Sequence, residues 1–118
     1  MKSREAQLQT ACINWFRYQF PKLSKVLIAV PNGGSRDGRE AKNLKLQGVT
    51  AGVSDLLLLT SKQGYGCLCI EMKTEIGKQS LSQSAWQIEA EKAGNKYVLC
   101  RNFDEFRKEI INYLIQKS

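Results

Sequence analysis

A chain of 118 residues, 42% hydrophobic and 25% charged, has the size of one domain around one core (residues 1–118) and the composition of a globular rather than a disordered protein. Its net charge of +7, with a pI near 9.4, favours polyanionic partners such as nucleic acid or an anionic membrane surface. It contains no histidine, which excludes every His-containing triad and leaves carboxylates, lysine, hydroxyls or a metal to do any chemistry.

Residues 3–19 read as an amphipathic helix, with Leu8, Cys12, Trp15 and Phe16 at helical spacing and Pro21 closing the segment. Residues 25–30, KVLIAV, predict a short buried strand that ends at Pro31-Asn32-Gly33-Gly34. A helix over 38–47 follows, stopped by Gly48. The segment DLLLLTSKQGYGCLCIEMK reads as a β-hairpin with strands at 54–60 and 66–73. The loop TEIGKQ leads into a helix over 80–93, ended by Gly94-Asn95. KYVLC makes a last strand at 96–100, and Phe103, Phe106, Ile110, Tyr113 and Leu114 give a final amphipathic helix. The order α-β-α-β-β-α-β-α predicts an α/β sandwich around a small mixed sheet. The apolar runs LLLL and CLCI suggest that helices cover both faces of that sheet.

Chemistry concentrates in the hairpin. Asp55 stands sixteen positions before Glu71, and a turn centred on Gln63 pairs strand positions at a constant sum of 126, with these two acids opposite each other. Opposed residues lie roughly 4.5–5.5 Å apart at Cβ, close enough for both carboxylates to hold one divalent cation. Strand side chains alternate, so Lys73 shares the side of Glu71 and Met72 points away. Asp55 alone is also a plausible turn residue in solvent, and Glu71 alone an edge-strand surface charge; their pairing makes them informative together. An all-oxygen carboxylate site suits Mg²⁺ or Mn²⁺, and a lysine beside it can steady charge on a phosphorane-like transition state.

Three further polar residues fall on apolar helix stripes. Glu5 precedes Leu8 and Cys12 at helical spacing, Gln9 lies near the same side, and Gln83 stands three residues before Trp86. Each is a helix-end residue reaching solvent or a group that needs a buried partner. Arg36, Arg39, Lys42 and Lys45 recur every third residue, as a solvated basic helix or as phosphate contacts beside an active site, with Lys78 a further candidate contact.

Taken in order, ExxLQ (5–9), PNGGSR (31–36), GVSD (52–55), EMK (71–73) and SxSQSAW (80–86) resemble the VRR-NUC domain, the virus-type replication-repair nuclease branch of the PD-(D/E)XK nuclease superfamily, in its stand-alone phage or bacterial type. The resemblance covers residues 5–103. It implies a restriction-endonuclease-like αβββαβ core, a mixed sheet flanked by helices, in agreement with the order above apart from one inserted helix. It implies Asp55 and Glu71 as metal ligands, Glu5 as an additional acid of the metal site, Lys73 as the catalytic lysine, Gln83 as a supporting glutamine, and Gln9 as a second supporting residue. Ser54 stands where the family usually has proline, which alters how the strand begins but removes no ligand. The resemblance also implies branched DNA (a four-way junction or a flap) as substrate, 5′-phosphate products and a homodimer.

The expectation is therefore a Mg²⁺- or Mn²⁺-dependent, structure-selective DNA endonuclease of Holliday-junction-resolving type. The alternative is a non-catalytic DNA-binding module or nuclease subunit that retains the fold. An RNA-binding protein fits less well, because no exposed aromatic stacking pattern is visible. MKSREAQLQT lacks the apolar core of a secretory signal, and no apolar run has bilayer-spanning length. Cys12, Cys67, Cys69 and Cys100 lie in apolar runs without a CxxC pair, as buried thiols in a reducing compartment do. These features predict a cytoplasmic protein of a bacterium or a phage-infected host cell, without membrane contact.

Overall fold

The structure, a computed structural model, describes residues 3–31 and 38–115. The Asn32-Gly33-Gly34 turn and Arg36 lie outside the described residues. In chain order the elements are α1 (Arg4–Gln19), β1 (Leu27–Ala29), α2 (Gly38–Leu46), β2 (Leu56–Leu58), β3 (Leu68–Met72), α3 (Leu81–Lys92), β4 (Lys96–Cys100) and α4 (Phe103–Ile115). The strands form one sheet in the order β1-β2-β3-β4. The first two pairings are antiparallel and the third is parallel. A parallel neighbour needs a crossover, which α3 supplies. The αβββαβ order is present as α1-β1-β2-β3-α3-β4, with α2 inserted and α4 appended.

Local chemistry sets the helix ends. Ser3 caps α1, its hydroxyl accepting from the Ala6 N–H at 3.0 Å. Gly94, at φ 96°, ends the turn after α3 in the left-handed conformation that glycine adopts without a Cβ penalty. One face of the sheet packs Leu56, Leu58, Leu68, Ile70, Met72 and Cys100 against Cys12 and Phe16 of α1 and Phe106, Ile110 and Tyr113 of α4. Burying each large apolar side chain there contributes roughly 1.5–3 kcal/mol. The other face carries Cys69 and Tyr97, covered by Ala90 and Trp86 of α3. Because β3 is sandwiched, all five of its residues are buried. Alternation sends Leu68, Ile70 and Met72 to the α1/α4 side and Cys69, Glu71 and Lys73 to the α3 side.

The hairpin has the expected register, Leu56↔Ile70, Leu57↔Cys69 and Leu58↔Leu68, which keeps the constant sum of 126. Its turn is not centred on Gln63 but spans Gln63 and Gly64, both with positive φ (54° and 84°), between the bridged pair Lys62 and Tyr65. That two-residue geometry matches the twist of antiparallel strands. The tip pairs one step out of the strands' register, so one extra residue is accommodated between Leu58 and Lys62. The Gln63 amide donates to the carbonyls of Asn112 and Tyr113 at 2.8 and 3.0 Å, and the Tyr113 hydroxyl donates to the Thr60 carbonyl at 2.6 Å. The tip is thus pinned to the end of α4.

The strand expected at 25–30 is shorter and less buried than its apolar sequence suggests. Leu27 is buried, but Ile28 and Ala29 are exposed, because β1 is the edge of the sheet. No helix among the described residues is long and apolar enough to cross a membrane. All four cysteines are free thiols, and burial pushes those of Cys12, Cys69 and Cys100 up to about 12, which leaves them unreactive.

Candidate active site

The site is built where β2 begins and β3 ends, beneath the first turn of α3. Glu71 is fully buried, at 0% exposure. Its Oε2 accepts from Gln83 Nε2 at 2.9 Å and faces Lys73 Nζ at 3.8 Å, while Oε1 accepts from the Tyr97 hydroxyl at 3.3 Å. Asp55, half-buried, accepts the Met72 N–H at its Oδ2 at 2.7 Å and lies within hydrogen-bonding reach of the Glu71 carboxyl. Burial, then the charge and hydrogen bond of Asp55, push the Glu71 carboxyl up to about 8, and Lys73 and Tyr97 only partly offset them. Burial and the neighbouring Glu71 charge likewise hold the Tyr97 hydroxyl above its ordinary range.

Three local devices hold this arrangement. Gln83 is the third residue of α3 and closes a capping box with Ser80: its N–H donates to the Ser80 hydroxyl at 3.2 Å, and its Oε1 accepts the Ser80 N–H at 2.8 Å. With the carbonyl end committed to the cap, the amide nitrogen is the end that meets Glu71. Gly52, at φ 85°, presses against the same turn, and a Cβ there would collide with the Ser82 carbonyl oxygen. Ser54 is fully buried and donates its hydroxyl to the Leu56 carbonyl at 3.0 Å, spanning Asp55 at the start of β2. Ser54 thus supplies a hydrogen bond that fixes how the strand begins.

Beyond β3, the Lys73 N–H donates to the Cys100 carbonyl at 3.0 Å. The Arg101 guanidinium gathers the carbonyls of Thr74, Glu75 and Gly77 at 2.8, 3.4 and 2.5 Å. Lys73 therefore leaves the sheet into a loop whose path is tied to the end of β4. Its side chain is only 14% exposed, which keeps the ammonium beside the carboxylates.

The structure brings Asp55, Glu71, Lys73 and Gln83 together. Glu5 lies half-buried in the first turn of α1, with Gln9 one turn on. Among the described residues no three acidic or thiol side chains converge as a metal-holding group, so Glu5 does not join the Asp55–Glu71 pair here. Arg39, Lys42 and Lys45 are exposed on α2, and Lys78 is exposed in the loop before α3. Sequence reading missed Tyr97, Gln79, Ser80 and Arg101. The Ser80-x-x-Gln83 spacing is a legible capping signal, whereas nothing in KYVLC distinguishes Tyr97 from a core aromatic.

The donor set fits a hard divalent ion. Two adjacent carboxylates, one of them buried without full neutralisation, are relieved by a cation of charge two. Mg²⁺ typically takes one or two carboxylates and completes its shell with water and substrate phosphate.

The model of the VRR-NUC domain family matches residues 3–104. This chain belongs to the VRR-NUC domain family. VRR-NUC is a nuclease-type domain, and the substrate it implies is DNA. A solved structure described as a "VRR_NUC domain protein" is similar over 97% of this chain and 90% of its own, with a TM-score of 0.83 and 25% sequence identity. No curated protein matches the chain. The four-stranded mixed sheet flanked by helices is the VRR-NUC-like fold.

Proposed function

We propose that this VRR-NUC chain is a Mg²⁺- or Mn²⁺-dependent, structure-selective DNA endonuclease that resolves four-way junctions as a homodimer. The observation that carries the reading is the buried Glu71 carboxylate set against Asp55, with Lys73 at 3.8 Å. A burial this costly is poorly explained by stability, since apolar residues of similar volume would serve the core as well or better. Asp55 and Glu71 would hold the ion, with Glu5 as a further candidate acid on α1. When bound, the ion polarises a phosphoryl oxygen and lowers the pKa of a water.

The remaining steps belong to the side chains. Glu71 would meet the ion as a carboxylate, its negative charge balanced by the cation rather than by a proton. Gln83, anchored by its capping box, keeps the Glu71 carboxylate in one orientation. Lys73 presents a fixed positive charge to the phosphate oxygens as charge develops there, at a position where no reorganisation is needed. Arg36, Arg39, Lys42, Lys45 and Lys78 would contact backbone phosphates, which position DNA without reading its sequence. Two copies about a two-fold axis would match the symmetry of a four-way junction.

The test is cleavage of a labelled four-way junction, a flap and a matched linear duplex in Mg²⁺, Mn²⁺ or EDTA, by the wild type and by Asp55→Ala, Glu71→Ala and Lys73→Ala. Metal-dependent cutting lost in all three variants, with paired symmetric nicks in the junction, is the expected result. Tight DNA binding by the wild type without cutting in either metal would replace this reading with a non-catalytic DNA-binding module.

A further inference from the structure

Glu71 has a neighbour whose own hydrogen bonds are arranged with a definite direction. Tyr97 lies in β4, only 8% exposed, with its ring centroid 6.2 Å from that of Trp86. Its hydroxyl oxygen is 3.1 Å from Gln79 Nε2 and 3.3 Å from Glu71 Oε1. The Gln79 amide is itself held at both ends: Nε2 also donates to Gln87 Oε1 at 2.9 Å, and Oε1 accepts from the Ser84 hydroxyl at 3.2 Å. A primary amide nitrogen has two protons and no acceptor lone pair in use. With one proton on Gln87, the other is directed at the Tyr97 oxygen. The Tyr97 hydroxyl has a single proton, and with its oxygen already accepting from Gln79, that proton is directed at Glu71. The chain Ser84→Gln79→Tyr97→Glu71 therefore runs one way and ends on the carboxylate.

We infer that Tyr97, oriented by Gln79, is a positioning residue that fixes the Glu71 carboxylate for divalent-metal binding. The inference rests on the metal-site reading above and adds to it a second anchor, independent of Gln83. Gln83 and Lys73 restrain Oε2; Tyr97 restrains Oε1. A carboxylate held at both oxygens cannot rotate about its terminal bond, so its remaining lone pairs stay aimed at the site. Hydrogen bonds to a charged acceptor are stronger than neutral ones, and successive donors polarise one another along such a chain. Loss of an outer-shell partner of this kind typically weakens metal binding by about 10–100-fold.

The test is Mn²⁺ binding by titration calorimetry to the wild type, Tyr97→Phe and Gln79→Met, with metal-free thermal unfolding and Mn²⁺-dependent cleavage measured alongside. Tyr97→Phe keeps the ring against Trp86 and removes only the hydroxyl. The expected result is Mn²⁺ binding weaker by about 10-fold or more in Tyr97→Phe, and a smaller loss of the same sign in Gln79→Met. Cleavage by Tyr97→Phe should recover toward wild type as Mn²⁺ is raised, with KM for DNA unchanged. Gln79→Met leaves Tyr97 itself intact and so decides the matter if Tyr97→Phe fails to fold. Wild-type Mn²⁺ affinity in the folded variants would overturn the positioning role while leaving the nuclease reading in place. A wild type that binds no Mn²⁺ would overturn both.

Discussion

Glu71 is the residue on which stability and function pull in opposite directions. In the metal-free protein its carboxyl is pushed up to about 8 from its ordinary 4.5, chiefly by burial and by Asp55. Between those two values the folded state retains a proton that the unfolded state has lost. Stability conferred by the protonated group is therefore complete below the unfolded value and drains away as pH rises through the folded one. Glu71→Gln keeps the shape and loses the charge. In EDTA at pH 8 it should unfold later than the wild type, by about 2–4 kcal/mol, while at pH 4 the two should be close; denaturant titrations at both pH values check this. A wild type no less stable at pH 8 than Glu71→Gln would show that the carboxylate is already neutralised by its neighbours. The same variant should bind no Mg²⁺, since one of the two adjacent acids is gone.

The helix α3 serves the site through its first turn, and that turn is set by residues that do not themselves touch the carboxylates. Ser80→Ala removes the hydroxyl that accepts the Gln83 N–H and should cost about 1 kcal/mol in thermal unfolding. It should also slow cleavage, because the Gln83 amide loses part of the cap that aims it. Gly52→Ala meets two obstacles at once, a positive φ and the Ser82 carbonyl. A loss of about 2 kcal/mol or more is expected, against a loss within about 0.5 kcal/mol at the open surface position Gly38. These effects define what was legible at this level. The hairpin register followed from a turn centred on Gln63; the turn spans Gln63 and Gly64 instead, and the extra residue between Leu58 and Lys62 restores the sum of 126. The edge position of β1 could not be read, because KVLIAV has the same apolar run as a central strand and its place in the sheet is a tertiary property. Tyr97 stayed hidden for the same reason: its partners Gln79 and Glu71 are 18 and 26 residues away, and only the parallel pairing of β3 with β4 brings them to it. Arg101 gathers carbonyls 24 to 27 residues back, a contact with no local sequence signal.

Across the whole molecule, the two faces of the sheet divide the work. The α1/α4 side holds most of the fully buried apolar residues, whereas the α3 side gives up part of its core to Glu71 and its network. The half-buried Asp55 and Lys73 connect that network to the surface, where a polyanion of the family's substrate class would arrive. The net charge of +7 makes DNA association sensitive to salt. Replacing Arg39, Lys42 and Lys45 together by alanine should reduce the slope of log affinity against log salt by about 3 if all three contact phosphates. Unfolding midpoints should barely move, since α2 buries none of its residues completely. An unchanged salt slope would move the DNA path away from α2.

The decisive comparison is cleavage of a labelled four-way junction in Mn²⁺ by the wild type and by Glu71→Gln, with the unfolding of each followed in the same buffer without metal. The expected result is a wild type that cuts and is silenced by EDTA, beside a Glu71→Gln variant that is folded and at least as stable but does not cut. Cleavage by Glu71→Gln at the wild-type rate would contradict the placement of the reaction at the Asp55–Glu71 pair.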